Sequence, residues 1–213
     1  ALERQLQERA RELALLLRVS NSANSTLDLD ALLSLILDQV KTVVDYDGMA
    51  ILTQEGPSLV VQAYRGPIPQ KTALHLRFPL AAETINREVI RQRRPVILAD
   101  TLADTDLARR FRQAADRQLD TTFGYIRSWM GVPLLVREQV VGMLTLDHSQ
   151  PEFFTPEHAG LVMTFANHVA AAIENASRYH AEQERLQESE RRRRVAEGLR
   201  GILRVLNSNR PID

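Results

Sequence analysis

Ser128-Trp129-Met130-Gly131-Val132-Pro133-Leu134-Leu135-Val136, two charged residues, and then Gln139-Val140-Val141-Gly142-Met143-Leu144-Thr145-Leu146-Asp147 form the most strongly patterned stretch of the chain. Met130 to Val136 and Gln139 to Leu146 are short, apolar and rich in branched side chains, so each reads as a strand. Only Arg137-Glu138 separates them, which predicts an antiparallel hairpin closed by a tight turn. Soon after comes Thr155-Pro156-Glu157, a helix start made of a hydroxyl N-cap, a proline at the first helical position and an acid behind it. No breaker follows until about Leu206. A continuous helix of that length measures roughly 75 Å. A compact domain of this size cannot bury it, so the far half is expected to project and to need a partner.

That far half carries a coiled-coil pattern. Phe165, Val169, Ala172, Ala176, Tyr179, Gln183 and Leu186 follow 4-3 spacing. The seam fails from Glu190 to Arg194 and resumes as Val195, Leu199, Ile202 and Leu206 in a shifted register, which locally alters supercoiling. Arg191-Arg192-Arg193-Arg194 reads as a solvated face, because five acids between Glu182 and Glu197 balance it.

Working back from the hairpin, Pro95 to Leu98 reads as a short strand and residues 82–92 as an amphipathic helix. Residues 104–127 are polar with scattered aromatics, which suggests a long loop with some helix. Met49 to Thr53, Leu59 to Tyr64 and Leu74 to Phe78 read as strands separated by glycine and proline turns. In the last of these, Leu74, Leu76 and Phe78 alternate with His75 and Arg77. Leu29, Leu32, Leu33, Ile36, Val40, Val43 and Val44 fall at helical spacing behind Asp28, which reads as the N-cap, and this helix is expected to end near Tyr46-Asp47-Gly48. Residues 1–22 carry a further helical stripe, Leu2, Leu6, Leu13, Leu16 and Leu17, before a polar break at Asn21 to Ser25.

Composition narrows the function. The 213 residues are 44% hydrophobic and 25% charged, an ordinary globular mixture. Lys plus Arg and Asp plus Glu both number 27, so the formal charge is zero and no basic excess points to nucleic acid. There is no cysteine, which removes disulfides, thiol nucleophiles, Cys-ligated metals and thioether-linked cofactors. Leu161 to Ile173, the most apolar long stretch, has 13 residues and includes Asn167 and His168, short of the ~20 that a membrane span needs. The chain opens on Ala-Leu-Glu-Arg rather than a signal peptide, and reads as a piece of a longer protein. No phosphate-binding loop, His-Glu-x-x-His or Gly-x-Ser-x-Gly motif is present, nor a phosphoacceptor-histidine box.

The ends echo each other. Leu16-Leu17-Arg18-Val19-Ser20-Asn21-Ser22 returns as Ile202-Leu203-Arg204-Val205-Leu206-Asn207-Ser208, five of seven identical at an offset of 186. The repeat predicts that a second copy of the domain begins at residues 199–213.

The hairpin, then Phe154-Thr155-Pro156-Glu157-His158, then Phe165-Ala166-Asn167 to Ala171-Ala172-Ile173-Glu174-Asn175-Ala176, resemble a GAF domain. The resemblance implies an α+β, α/β/α-layered, GAF/PAS-like fold: an antiparallel sheet of five or six strands, helices on one face, and loops and short helices around a small-molecule pocket on the other. It implies a division into a dimerisation helix (1–27), the GAF domain (28–176) and a coiled-coil linker (177–213). It further implies a cytoplasmic sensory module from a bacterial signalling protein such as a two-component sensor histidine kinase, one of a tandem pair. Such a module binds a small molecule or a protein partner and transmits its state through a parallel homodimer of terminal helices to an output domain outside this piece. The chain itself is then not an enzyme. Family subclasses that hold covalent bilin or reduce methionine sulfoxide use cysteine, absent here, and the cyclic-nucleotide signature departs at Asp147-His148 and Phe154-Thr155-Pro156-Glu157. Haem is not expected, because only His75 among the histidines sits on a strand placed to line a pocket. Asp147 reads as a strand-end turn residue, and neighbours on a strand face opposite sides, so Asp147 and His148 do not form an acid–base pair.

Phe111, Phe123, Tyr125 and Trp129 cluster with Arg109, Arg110, Arg112, Arg117 and Arg127. Rings give apolar contact and arginine clamps carboxylate or phosphate, which suits a planar or anionic ligand. Tyr125, Arg127 and Trp129 share one side of an extended segment and are the leading ligand contacts, with Phe111 on a lid and His75 or Arg77 from the sheet. The alternative is that the rings plug the pocket themselves, leaving a ligand-free dimerisation and transmission scaffold.

Overall fold

The computed structural model describes residues 25–80, 83–115 and 122–208, with the side chains of 25–28, 180 and 201–208 also outside the description. The helical stripe expected over 1–22 and the final residues of the echo lie outside the described residues. The chain divides into two units, one ending at Glu174 and one beginning at Asn175.

In the first unit, α1 (Ser25–Lys41) leads into β1 (Gly48–Glu55) and β2 (Ser58–Arg65). A single turn of helix, α2 (Gln70–Ala73), precedes β3 (Arg77–Pro79). Then come α3 (Ile85–Gln92), β4 (Val96–Leu98), α4 (Asp106–Ala115), the hairpin β5 (Ser128–Val136) and β6 (Gln139–His148), and α5 (Pro156–Ser208). The six strands form one sheet in the order β3-β2-β1-β6-β5-β4, with every neighbouring pair antiparallel. The hairpin therefore sits in the middle of the sheet and not at its rim.

Period-2 alternation sends the strand side chains to two cores. Met49, Ile51, Met130, Val132, Leu134, Leu144 and Leu146 pack with Leu33, Ile36, Leu37 and Val40 of α1 and Val162, Phe165, Ala166 and Val169 of α5. The residues between them, Leu52, Trp129 and Met143 among others, pack against α2, α3 and α4 on the opposite face. The result is three layers, helix–sheet–helix, as the resemblance implied. Full burial of each large aliphatic side chain contributes about 1.5–3 kcal/mol, so the α1 stripe alone holds that helix in place.

Several boundaries differ from the sequence reading. Asp28 lies inside α1, which starts at Ser25, so it is not the N-cap. The helix ends at Lys41; Thr42, Val43 and Val44 donate back to Gln39 and Val40 in a final tightening turn, and Tyr46 drops into the core. The alternating Leu74 to Phe78 is not one strand. Leu74 and His75 close the turn behind α2, with Leu74 N–H bonded to the Gln70 carbonyl, and pairing starts only at Arg77. Within residues 104–127, the helical part is the ten-residue α4, as the reading of a loop with some helix allows. Val169, placed on the projecting seam by its spacing, is fully buried in the helix-side core.

The hairpin and the helix start stand as read. Val136 pairs with Gln139, and Arg137 and Glu138 both adopt positive φ, 45° and 68°, as a two-residue primed turn requires. Thr155 Oγ1 accepts from the His158 N–H at 3.3 Å, capping α5. In the second unit, the described side chains of α5 are polar except for Tyr179, Leu186, Val195 and Leu199, each 47–57% exposed in the single chain, and small residues. Arg192, Arg193 and Arg194 pair along the helix with Glu188, Glu197 and Glu190, which makes the arginine run a self-neutralised face. No helix of the described residues is long and apolar enough to cross a membrane.

Candidate functional site

A cavity of about 70 Å³ lies between the sheet and the short helices α2, α3 and α4. Its sheet side is made by β1, β2, β5 and β6, with Leu52, Val61, Trp129, Thr145 and Asp147 turned toward it. Phe78, Ile85, Phe111 and Phe123 close it from the other side. Phe111, on α4, meets the Trp129 ring at 6.0 Å in a tilted arrangement. The volume falls well below the ~300–1,000 Å³ of a drug-sized pocket, so the enclosed space suits only a small molecule.

Asp147 is the chemical centre of this site. It follows Met143 and Thr145 at period 2, while Leu144 and Leu146 face the helix-side core. Its position in the sheet, opposite Gly48 on β1, buries the carboxyl to 8% exposure. The Oδ1 atom has no hydrogen-bond partner, and neither does the buried Tyr125 hydroxyl beside it. Burial pushes the Asp147 carboxyl up to about 7, opposed by Tyr125 and the Gly48 amide and reinforced by the charge of Asp47. Burial also raises the Tyr125 phenol, with the Asp147 and Tyr64 neighbours adding to it. The Tyr64 hydroxyl accepts from the Ile68 N–H at 3.3 Å. Gly48 permits this cluster: a Cβ there would stand 2.6 and 2.7 Å from the Asp147 carboxylate oxygens and 2.8 Å from the Tyr125 hydroxyl.

The candidate contacts separate. Phe111 and Trp129 line the cavity, whereas Tyr125 is not part of its lining and sets its hydroxyl beside Gly48 and the Asp147 carboxyl. Arg127 is not beside them, because the segment before Ser128 is a turn and not an extended strand. Its guanidinium grips Asp100 through two bonds of 3.1 and 2.9 Å. Arg77 is exposed and pairs with Glu55 at 3.4 Å. His75 is exposed in the turn behind α2, bonded to the Lys71 carbonyl. Arg109 pairs with Asp104 and Asp106, Arg110 with Glu83, Glu88 and Asp106, and Arg112 with the Thr101 and Ala103 carbonyls. Arg117 lies outside the described residues. The carboxylate clamp expected of this arginine cluster is thus already engaged within the chain.

Asp147 is the residue the sequence reading passed over. The strand-end role assigned to it does not hold, since it is paired within β6 and faces the cavity. Counting in twos from Leu144 and Leu146 was the signal available. His148 faces the other way, its ring stacked on Phe153 at 3.6 Å, so the adjacent pair does not act together. Among the described residues no group of three or more His, Asp or Glu side chains is placed to hold a metal ion.

The GAF domain family model matches residues 28–173. Among solved structures, the GAF domain of a phosphoenolpyruvate-protein phosphotransferase from Coxiella burnetii superposes with a TM-score of 0.62 at 19% identity, covering 83% of this chain and 96% of that one. The GAF domain of a two-component sensor histidine kinase from Bacillus halodurans gives 0.57 at 17% identity, over 74% and 99%. A free methionine-R-sulfoxide reductase from Neisseria meningitidis, solved with its substrate, gives 0.58 at 16%, over 80% and 91%. At these identities the likeness is one of fold. No curated protein sequence matches.

Proposed function

The chain belongs to the GAF domain family, and we propose that it is a regulatory sensory module whose cavity beneath α3 and α4 takes a small molecule and whose terminal helices carry the bound state to an output domain. The observation that carries this reading is the buried Asp147 carboxyl in the lining of a cavity whose other walls are apolar apart from Tyr64, Asn86 and Thr145. A domain folded only as a scaffold gains nothing from a carboxyl there, since burial without a partner is costly. Transmission is supported by the 53-residue α5, which contributes Val162, Phe165 and Val169 to the core and exposes Tyr179, Leu186, Val195 and Leu199 in the single chain. Those four apolar side chains match a parallel homodimer, in which residues 1–27 join 177–213 in one bundle. The setting is a cytoplasmic signalling protein of the two-component type, with the catalytic output outside this chain. The absence of cysteine sets the chain apart from chemistry that needs a thiol.

A second reading has its own support. The rings of Phe111, Phe123 and Trp129 crowd the cavity to about 70 Å³, which favours a ligand-free scaffold. Trp129 is the only tryptophan of the chain and lines the cavity, so its fluorescence separates the two. Titration with small-molecule fractions from the source organism should shift the Trp129 emission saturably if the module senses. An emission indifferent to every fraction would favour the scaffold.

A further inference from the structure

Resting on the reading of this cavity as a ligand site, we propose that its ligand is a small apolar amine, bound as the ammonium ion with its nitrogen against Asp147. Asp147 is only 8% exposed and lines the cavity, and its Oδ1 atom has no donor in hydrogen-bonding geometry. The Tyr125 hydroxyl stands beside it, close enough to oppose the rise of the Asp147 pKa but outside strict hydrogen-bonding geometry. An ammonium group offers three donors and one positive charge. It supplies donors to the Asp147 carboxyl and neutralises a charge that no cation of the described lining offsets. Charge-assisted bonds of this kind are the strong ones.

The charge balance of the lining decides against the anionic ligand that the arginine cluster suggested. Among the described residues, no Lys, Arg or His lines the cavity, and Asp147 is its only acid. The described arginines nearby are held by Asp100, Asp104, Asp106, Glu83 and Glu88 or by backbone carbonyls. An anion would meet the Asp147 carboxyl with no cation to offset it, whereas an ammonium meets its complement. The remaining walls, Leu52, Phe78, Ile85, Phe111 and Trp129, suit a short hydrocarbon body, and the volume limits that body to a few heavy atoms.

Three probes of one shape test the proposal on the whole chain: isobutylammonium, isobutanol and isobutyrate. Each is titrated at pH 8, where Asp147 is mostly ionised and an alkylamine remains protonated. Trp129 fluorescence reads binding. The expected result is that isobutylammonium binds at least about tenfold more tightly than isobutanol, the difference made by one charge-assisted contact. Isobutyrate should bind most weakly. Asp147→Asn should abolish the preference for the ammonium over isobutanol. Equal or tighter binding of isobutanol or isobutyrate in the unaltered chain would overturn the proposal, and needs no variant to fold. In that case the cavity remains a ligand site of other chemistry. If none of the three perturbs Trp129, both the amine and the reading of the cavity as a ligand site fall.

Discussion

Asp147 couples the stability of the domain to pH. Its carboxyl titrates near 7 in the folded chain because of burial, against roughly 4 when unfolded. Between those values the folded state holds a proton that the unfolded state has released. Stability therefore falls as pH rises through this window, and the full penalty persists above it. Asp147→Asn removes the penalty, so the variant should be the more stable at pH 8, by an amount on the order of a few kcal/mol, and similar to the parent at pH 4. Thermal melts of both proteins from pH 4 to 8 check this; parallel curves would mean that the carboxyl is not held out of water. Gly48 offers an independent handle. In Gly48→Ala the methyl group enters the space of three polar atoms at 2.6–2.8 Å, two of them on Asp147. Overpacking of that kind costs about 1–3 kcal/mol. A chemical-denaturation midpoint unchanged from the parent would show that the cluster has more room than the close approach implies.

At the scale of elements, the central hairpin carries a local strain that can be relieved. Arg137 and Glu138 both hold positive φ without the help of glycine or asparagine. Arg137→Asn with Glu138→Gly should stabilise the protein by about 1 kcal/mol, since left-handed backbone is unfavourable for ordinary side chains. Denaturant unfolding with an unchanged m-value would attribute the gain to the turn. This hairpin was legible in the sequence because strand patterning and a two-residue gap are local signals. So was the start of α5, where Thr155, Pro156 and Glu157 stand side by side. β3 was not, because Leu74, Leu76 and Phe78 alternate as a strand would while Leu74 and His75 are wound into a helical turn by bonds to Gln70 and Thr72. The site was legible only in its rings. Phe111 and Trp129 declared themselves by clustering, but the engagement of Arg127 with Asp100, and of Arg110 with Glu83 and Glu88, joins residues 22–27 positions apart, which no local pattern encodes. Asp147 looked like a turn residue because the end of β6 could not be placed to within the two residues that decide which side it faces.

At the scale of the whole molecule, one chain carries both the cavity and a helix that needs a partner. Apolar surface left in water makes a lone helix marginal, and Tyr179 and Leu186 form one exposed pair while Val195 and Leu199 form a second, about half a turn away around the helix. Leu186→Glu with Leu199→Glu should convert a dimer into a monomer in sedimentation at tens of micromolar. The core residues of the first unit should keep its thermal transition, because none of them is altered. The same dimer should hold its ligand in both chains. Native mass spectrometry of the protein purified from its own host reads both properties at once. A dimer carrying one small-molecule adduct per chain, reduced in Asp147→Asn, is the predicted spectrum. A bare monomer, or a bare dimer indifferent to that substitution, would contradict the sensory reading.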